Sequence, residues 1–501
     1  LILAAAALAA ALTVQQHFER NESKQLVPML SEVLRFATVA GNTEDHAAQQ
    51  AWLAKTARDL GFVTRDAGKI TEIELPGPDN APVLGLIIHG DVQPVDADEW
   101  SFGPFQPKVE NGYIYGRGSA DDKGPLVQAL LALHALKESG IARTHTIRLL
   151  VGSTEESDAS EMGEYLTTHR PPDYSLVLDS NFPVVVGEKA WNSLTLTTPF
   201  AETPSRANAV VKPYTVASSW AGLATSIVPD HAEVTLHWTE GTPQWQPLIE
   251  SLESFKLPEG TRLVTKVYSD AGTLRIVVYG KSAHAGVNLE GGRNALVGLA
   301  RLMEGKLPSG SEDDLLSFAR QAGRDLYGTG LGILDHDPIW GHYAVNVATI
   351  KMDADDAKKL AMTINIRRIP PRSGPQLKSY LESFVAAFNR QNGAALVPTG
   401  FYDDEPLGFN PKARLVRRLL ADYSRATGEK NPKPAISGGG TYAKRLPNAI
   451  AFGMWFPDKP YPGHDVDEKN PIADLERGTK VLIEALVDLA TGPRIVEPFK
   501  P

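Results

Sequence analysis

Two adjacent carboxylates, Asp121 and Asp122, lie in the turn Gly116-Arg117-Gly118-Ser119-Ala120-Asp121-Asp122-Lys123-Gly124-Pro125, between the apolar run Tyr113-Ile114-Tyr115 and a helical pattern that begins near Leu126. Acids in such a turn commonly cap the helix and face the positive end of its dipole. They are also the oxygen donors that a divalent cation takes. Groups of matching chemistry recur along the chain. His89 and Asp91 follow the apolar run 82–88, Glu155 and Glu156 follow the run 146–151, and Asp179 follows the run 174–178. In open α/β sheets, ligands gather at the carboxyl ends of the strands. Three apolar runs that each end in a histidine or a carboxylate therefore point to a metal or acid–base site. Asp91 can accept a hydrogen bond from the His89 imidazole and orient it. The Glu155-Glu156 pair reads either as one ligand and one general base or as solvated loop charge.

Four further features carry chemistry of their own. His284 sits in Ser282-Ala283-His284-Ala285-Gly286, where a lone histidine is either a satisfied structural residue or a catalytic one. Arg367 stands near the end of the alternating run 362–367, and His464 follows the apolar run 449–456 in Tyr461-Pro462-Gly463-His464-Asp465. Residues 437–442 form a Gly-rich turn whose backbone N–H groups can face an anion.

Positioning these groups takes more than one core, because 501 residues exceed what a single compact domain holds. Hydrophobic content of 42% and charged content of 22% are those of a soluble globular chain. A net charge of −10 and a pI near 5.7 exclude the basic face that nucleic-acid binding needs. With no Cys there is no disulfide, thiol nucleophile or Cys-held zinc, so any metal must be held by His, Asp and Glu. Residues 1–12 are almost all Ala and Leu, with Ala9-Ala10-Ala11 fitting a small-residue cleavage site. Residues 1–14 are read as the remnant of a signal peptide, which places the protein in the periplasm or outside the cell. An Ala-rich terminal helix, with a cytoplasmic location, is the other reading. The segment is too short to span a bilayer, and without Cys there is no lipid-anchor site, so no stable membrane anchor is expected.

Helical patterns over 26–36, 46–60, 126–137, 412–427 and 472–490 alternate with the strand-like runs above. They describe an α/β catalytic domain with a central, mostly parallel sheet flanked by helices, split between 15–188 and 405–501. Between its halves, the alternating runs 193–197, 275–279 and 362–367 mix with helical patterns over 245–255, 293–303 and 312–326. That texture describes an inserted α+β lid domain over 189–404.

Taken in order, His89-Gly90-Asp91, Ser119-Ala120-Asp121-Asp122-Lys123-Gly124-Pro125, Ser153-Thr154-Glu155-Glu156, Asp179, Ser282-Ala283-His284, Asn365-Ile366-Arg367, the 437–442 turn and His464 give the chain its family likeness. It resembles the dinuclear-zinc peptidases that include carboxypeptidase G, aminoacylase and carnosinase, and over 24–489 most of all the peptidase V-type bacterial dipeptidases. The resemblance implies two zinc ions per subunit, with Mn²⁺ or Co²⁺ able to replace them. It gives one ion to His89, Asp121 and Asp179, and the other to Asp121, Glu156 and His464, with Asp121 bridging. It implies Glu155 as general base and His284 as hydrogen-bond donor to the oxyanion, and Asp91, the orienter of His89, is counted with them among the catalytic residues. Arg367 and the turn residues Gly438, Gly439, Gly440 and Thr441 would bind the substrate carboxylate. The Asp121–Asp122 peptide would be cis. Ser226 stands in the lid where the family often has Asn, and its shorter side chain lengthens a substrate contact.

The expected activity is zinc-dependent hydrolysis of dipeptide or short-peptide amide bonds. The expected partner is a small peptide, and the expected state a monomer whose own lid carries His284. The alternative with the same site is an N-acyl-amino-acid deacylase or carboxypeptidase. An inactive relative that binds peptides or metals, and a transporter's two-lobed binding protein, are the non-hydrolytic rivals.

Overall fold

In a computed structural model of the chain, residues 2–199, 209–268, 272–356 and 358–496 are described. The chain divides into two compact units, Leu1–Glu188 with Leu407–Pro501, and Lys189–Pro406.

The first unit is built on a six-stranded sheet in the order Val63–Ala67, Ile70–Leu75, Thr146–Gly152, Val83–His89, Tyr174–Val177, Ala449–Ala451. The last four strands run parallel, and the first two join antiparallel at one edge. Parallel strands covered on both faces read as near-continuous apolar runs, and Val83–His89 is buried along nearly its whole length for that reason. The helix Lys123–Glu138 is buried almost all round, so its Leu-rich sequence shows little amphipathic stripe. It packs against the C-terminal helix Ile472–Thr491, where Gln128 Nε2 donates to the Leu475 carbonyl at 2.8 Å. The helices Leu26–Val33, Thr43–Asp59 and Arg414–Thr427 complete the layers.

The Ala/Leu stretch at the start of the chain forms the helix Ile2–His17. Ala11 and Val14, with Phe18 just beyond, are buried in the core of this unit, and the helix lies against Ile472–Thr491. Among the described residues no helix is long and apolar enough to cross a membrane.

The second unit carries an eight-stranded antiparallel sheet in the order Arg262–Val267, Thr273–Tyr279, His231–Trp238, Tyr214–Ala221, Ala344–Met352, Lys359–Arg368, Ala190–Pro199, Val397–Asp404. The helices Gln246–Glu253, Ala295–Leu302, Ser311–Ala322 and Gly374–Asn392 accompany it. Strand burial alternates along His231–Trp238, the period-2 pattern of a sheet with one face on a core. The fold class is thus a mostly parallel α/β sheet in one unit and α+β in the other.

Candidate metal centre

Five segments of the first unit converge: parallel neighbours bring the ends that bear His89, Glu156 and Asp179 to the same edge, and the Asp121 turn and the His464 loop join them. His89 pairs in register with Gly152 across the two central strands, and Asp179 follows the neighbouring strand by two residues. The turn that bears Asp121 precedes the helix Lys123–Glu138, and its Asp121–Asp122 peptide is cis. His464 is contributed by the loop before Lys469–Pro471, a strand that pairs antiparallel with Tyr113–Tyr115.

Asp121 faces two histidines with its two oxygens. Oδ1 lies 3.1 Å from His89 Nε2, and Oδ2 lies 3.2 Å from His464 Nε2. Asp179 Oδ2 is 3.9 Å from His89 Nε2, and Glu156 Oε1 is 3.0 Å from His464 Nε2. Two groups result, His89–Asp121–Asp179 and Asp121–Glu156–His464, each with all its ligand atoms within 4.8 Å of one another. Donors about 2.0–2.2 Å from a tetrahedral ion lie about 3.4 Å apart. The spacing and the His/carboxylate chemistry therefore fit a pair of first-row divalent ions sharing Asp121.

The electrostatics fit as well. Burial alone would strip His89 of its proton, yet hydrogen bonding to Asp121 and the surrounding acids hold its pKa well above 6.5. Against the same burial, the Glu156 charge and the Asp121 hydrogen bond push His464 up to about 10. Asp121 is held well below the usual carboxylate range, because His464 and His89 outweigh its burial. Asp179 and Glu155 go the other way, pushed well up by burial and then by neighbouring acids, Asp122 beside the first and Asp179 beside the second. Such a cluster carries protons that a divalent cation would displace.

Asp91 does something the local sequence does not suggest. His89 Nδ1 is 3.0 Å from the backbone carbonyl of Asp91, whereas the Asp91 carboxylate is 3.6 Å away. That carboxylate instead accepts the backbone N–H groups of Glu155 at 3.1 Å and Glu156 at 2.9 Å. It thus ties the paired glutamates to the loop of His89 while also lying beside the imidazole and helping to raise its pKa.

Three residues that sequence reasoning passed over complete this frame. Gln93 Nε2 donates to Glu156 Oε2 at 2.8 Å. Glu161 accepts the N–H groups of Ser153 at 3.1 Å and Thr154 at 2.8 Å, and the Thr154 and Tyr442 hydroxyls also bond to it. Tyr461, its ring edge-on to Trp455 at 5.7 Å, has its phenol pushed well up by burial and the nearby Asp121 charge. Glu161 lies in the first turn of the helix Ser160–Thr168, where an acid reads as an ordinary dipole partner. Gln93 and Tyr461 carry no periodic signal at all.

The Gly-rich turn is partly committed within the fold. Gly439 N–H donates to Ser437 Oγ at 3.0 Å. Thr441 gives its N–H and its hydroxyl to the buried Glu188 carboxylate at 3.1 and 2.8 Å. Lys444 lies over the turn: a Cβ added to Gly440 would sit 3.4 Å from its Nζ.

The remaining candidates belong to the second unit. His284 and Ser226 are neighbours there, since His284 bridges to Ile227 and Ala285 N–H donates to the Ser226 carbonyl at 2.8 Å. His284 Nδ1 accepts the N–H groups of Gly286 at 2.9 Å and Val287 at 3.0 Å. The neutral ring therefore carries its proton on Nε2, where it is a donor. Arg367 is buried on Lys359–Arg368, with Nε donating to Asn365 Oδ1 at 3.0 Å and the guanidinium 5.8 Å from the Trp191 ring centre.

The carboxyl edge of the first unit's sheet thus carries two groups of metal-ligating chemistry, and the family match makes the chain a metallopeptidase. Residues 85–488 match the family described as Peptidase family M20/M25/M40, and the chain belongs to that family. It is 29% identical over 482 residues to the Bacillus subtilis protein YtjP, covering 94% of this chain and 98% of that one. It is 29% identical over 413 residues to the Beta-Ala-Xaa dipeptidase of Lactobacillus delbrueckii subsp. lactis, covering 81% and 82%. Two solved structures share the fold, each with a TM-score of 0.59 and covering 95% of this chain and 98% of theirs. They are the di-peptidase Dug1p of Saccharomyces cerevisiae, 15% identical, and human carnosine dipeptidase 1, 13% identical.

Proposed function

We propose that the chain hydrolyses the amide bond of dipeptides with two zinc ions. Family membership and the likeness to a Beta-Ala-Xaa dipeptidase support the substrate class. The observation that carries the proposal is Asp121, whose two oxygens face His89 and His464, so that one carboxylate serves two ligand groups. His89, Asp121 and Asp179 would hold one ion, and Asp121, Glu156 and His464 the other. Bound zinc polarises a carbonyl and lowers the pKa of a water.

The chain's own groups do the rest. Glu155 takes a proton from the attacking water onto its carboxylate and returns it to the leaving amine. The Glu155 N–H donates to the Asp91 carboxylate at 3.1 Å, which fixes the turn that presents the base. His284 donates from Nε2 to the oxyanion, a role for which its Nδ1 contacts hold the required tautomer. Arg367 is assigned to the substrate carboxylate, as are the turn residues 438–441, and Ser226 to a substrate contact. The length of the inserted segment 189–404 favours a monomer whose own chain supplies His284, which light scattering at working concentration checks.

The deciding experiment screens dipeptides, tripeptides and N-acyl amino acids with zinc-loaded and chelated protein. Dipeptide turnover that disappears on chelation and returns with zinc supports the proposal. A preference for N-acyl amino acids would transfer the same chemistry to a deacylase, and turnover insensitive to chelation would sink the metal role.

A further inference from the structure

Glu468 lies four residues beyond His464 and is 0% exposed. Its carboxylate receives four hydrogen bonds from the turn that carries Asp121. Oε1 accepts the N–H groups of Ala120 at 2.8 Å and Asp121 at 3.2 Å. Oε2 accepts the N–H of Gly118 at 3.2 Å and Arg117 Nη1 at 2.8 Å. Arg117 is itself buried, with its guanidinium 5.2 Å over the Trp100 ring.

Neighbouring bonds continue the same seam. Gly116 N–H donates to the Glu468 carbonyl at 2.9 Å, and Asn470 Nδ2 donates to the Ser119 carbonyl at 2.9 Å. Beyond them, Lys469–Pro471 pairs with Tyr113–Tyr115. The loop so held contains two side-chain-bearing residues at positive φ, His464 at 67° and Asp467 at 55°. Residues other than glycine keep such conformations where surrounding contacts enforce them.

A buried carboxylate is strongly unfavourable unless its lone pairs are matched, and here they are matched by donors from a single turn. That turn presents one metal-ligand candidate, and the chain just before Glu468 presents another. We propose that Glu468 is a positioning residue. It clamps the 117–121 turn to the 464–470 segment, fixes Asp121 against His464, and so sets the affinity of the Asp121–Glu156–His464 group for its ion. The inference rests on the two-ion reading of the site. It also predicts asymmetry: losing the clamp loosens two ligands of that group, but only Asp121 in the group of His89 and Asp179. His89 and Asp179 are held independently by neighbouring strands.

The test titrates metal-free protein with Zn²⁺ against a chromogenic zinc chelator, for the wild type, Glu468→Gln and Glu468→Asp, with thermal melting of each metal-free protein alongside. Gln keeps the size but turns an amide NH₂ toward existing donors. Asp keeps the charge but is one methylene too short to meet both pairs of donors. In both variants one zinc-binding step should weaken about 10–100-fold and the other by a smaller factor, as loss of a group that orients metal ligands typically does. kcat should fall at limiting zinc and recover in excess zinc, with KM little changed. A purely structural role would not give that rescue.

A folded variant with both steps within about threefold of wild type, or with both weakened equally, would overturn the inference. If the Gln variant does not fold, the Asp variant decides on the same criteria. Failure of both to fold would overturn the positioning role in favour of a structural one. Wild-type protein that takes up no zinc would instead remove the site reading beneath it, and that outcome is visible before any variant is made.

Discussion

In the unit formed by Leu1–Glu188 and Leu407–Pro501, buried acids surround two histidines whose Nε2 atoms point at carboxylates. In the unit Lys189–Pro406, His284 turns Nδ1 toward backbone N–H groups instead, and the buried Glu312 has the Ser219 hydroxyl as its neighbour. The two environments leave different species behind. In the first, ionised partners stabilise one another, and a divalent cation can replace the protons they share. In the second, Nδ1 of the imidazole is taken up as an acceptor, which leaves Nε2 as the donor, and burial pushes the Glu312 carboxyl up to about 7. Buried polar groups alone therefore do not mark a metal site. What sets the first unit apart is the convergence of several ligand atoms on one another.

Substitutions can break this contrast, and the largest effect should come from the shared carboxylate. Asp121→Ala should abolish metal uptake at both groups and reduce hydrolysis to the level of chelated protein, as read by metal analysis and dipeptide assay. Glu156→Ala should lose the ion of its own group while the protein still takes up the other.

Glu155→Gln should keep both ions and lose about 10²–10⁴ in kcat, the range expected for a general base. If it lost metal, Glu155 would be a ligand, and the division of labour between the paired glutamates would have to be reversed.

His284→Ala tests the second unit. Removing one oxyanion donor typically costs about 10²–10³ in kcat, so kcat should fall by that factor with bound metal and KM little changed. Near-normal turnover would leave His284 as a structural histidine of its turn.

Glu312→Gln should act on stability and leave metal binding alone. With an ordinary value near 4.5 and a folded value of about 7, the glutamic acid's contribution to stability is fully present below about 4.5. It is lost as the pH rises through about 7, a difference of about 3 kcal/mol at most. Melting curves should show the wild type losing stability relative to Glu312→Gln over that window, and equal pH dependence would rule out the buried acid as the cause.

The smallest effect should come from Arg367→Lys, which keeps the charge but loses the planar fork that grips a carboxylate. KM should rise about tenfold, equivalent to one charge-assisted hydrogen bond, with metal content unchanged.

How far the arrangement was legible in the sequence differs residue by residue. His89 and Asp179 could be placed because buried parallel strands read as apolar runs, and the residues just after such a run lie at the sheet's carboxyl edge. Asp91 shows where that logic stops. Two residues from His89, it looks like the imidazole's partner, yet its carboxylate reaches across to the N–H groups of Glu155 and Glu156. The register of Val83–His89 on Thr146–Gly152 brings them within reach, and register is a property of the assembled sheet. Gln93 and Glu468 left no trace because a lone polar residue in a loop has no period to betray its direction, and Glu161, in the first turn of its helix, reads as a dipole partner.

Composition and local pattern together determined the donor types, the strand-helix alternation and the change of texture near Lys189. With no Cys, only His, Asp and Glu were left to hold a metal, and hydrophobic periodicity follows from which faces must be buried. Only the tertiary structure decided that Asp121 turns one oxygen to His89 and the other to His464, and that Glu468 ties their two loops together. The contacts of His464 and Glu468 with the Asp121 turn join segments hundreds of residues apart. Neighbouring residues cannot encode them, because they exist only once the core has packed and the buried carboxylates must find donors or pay for their desolvation.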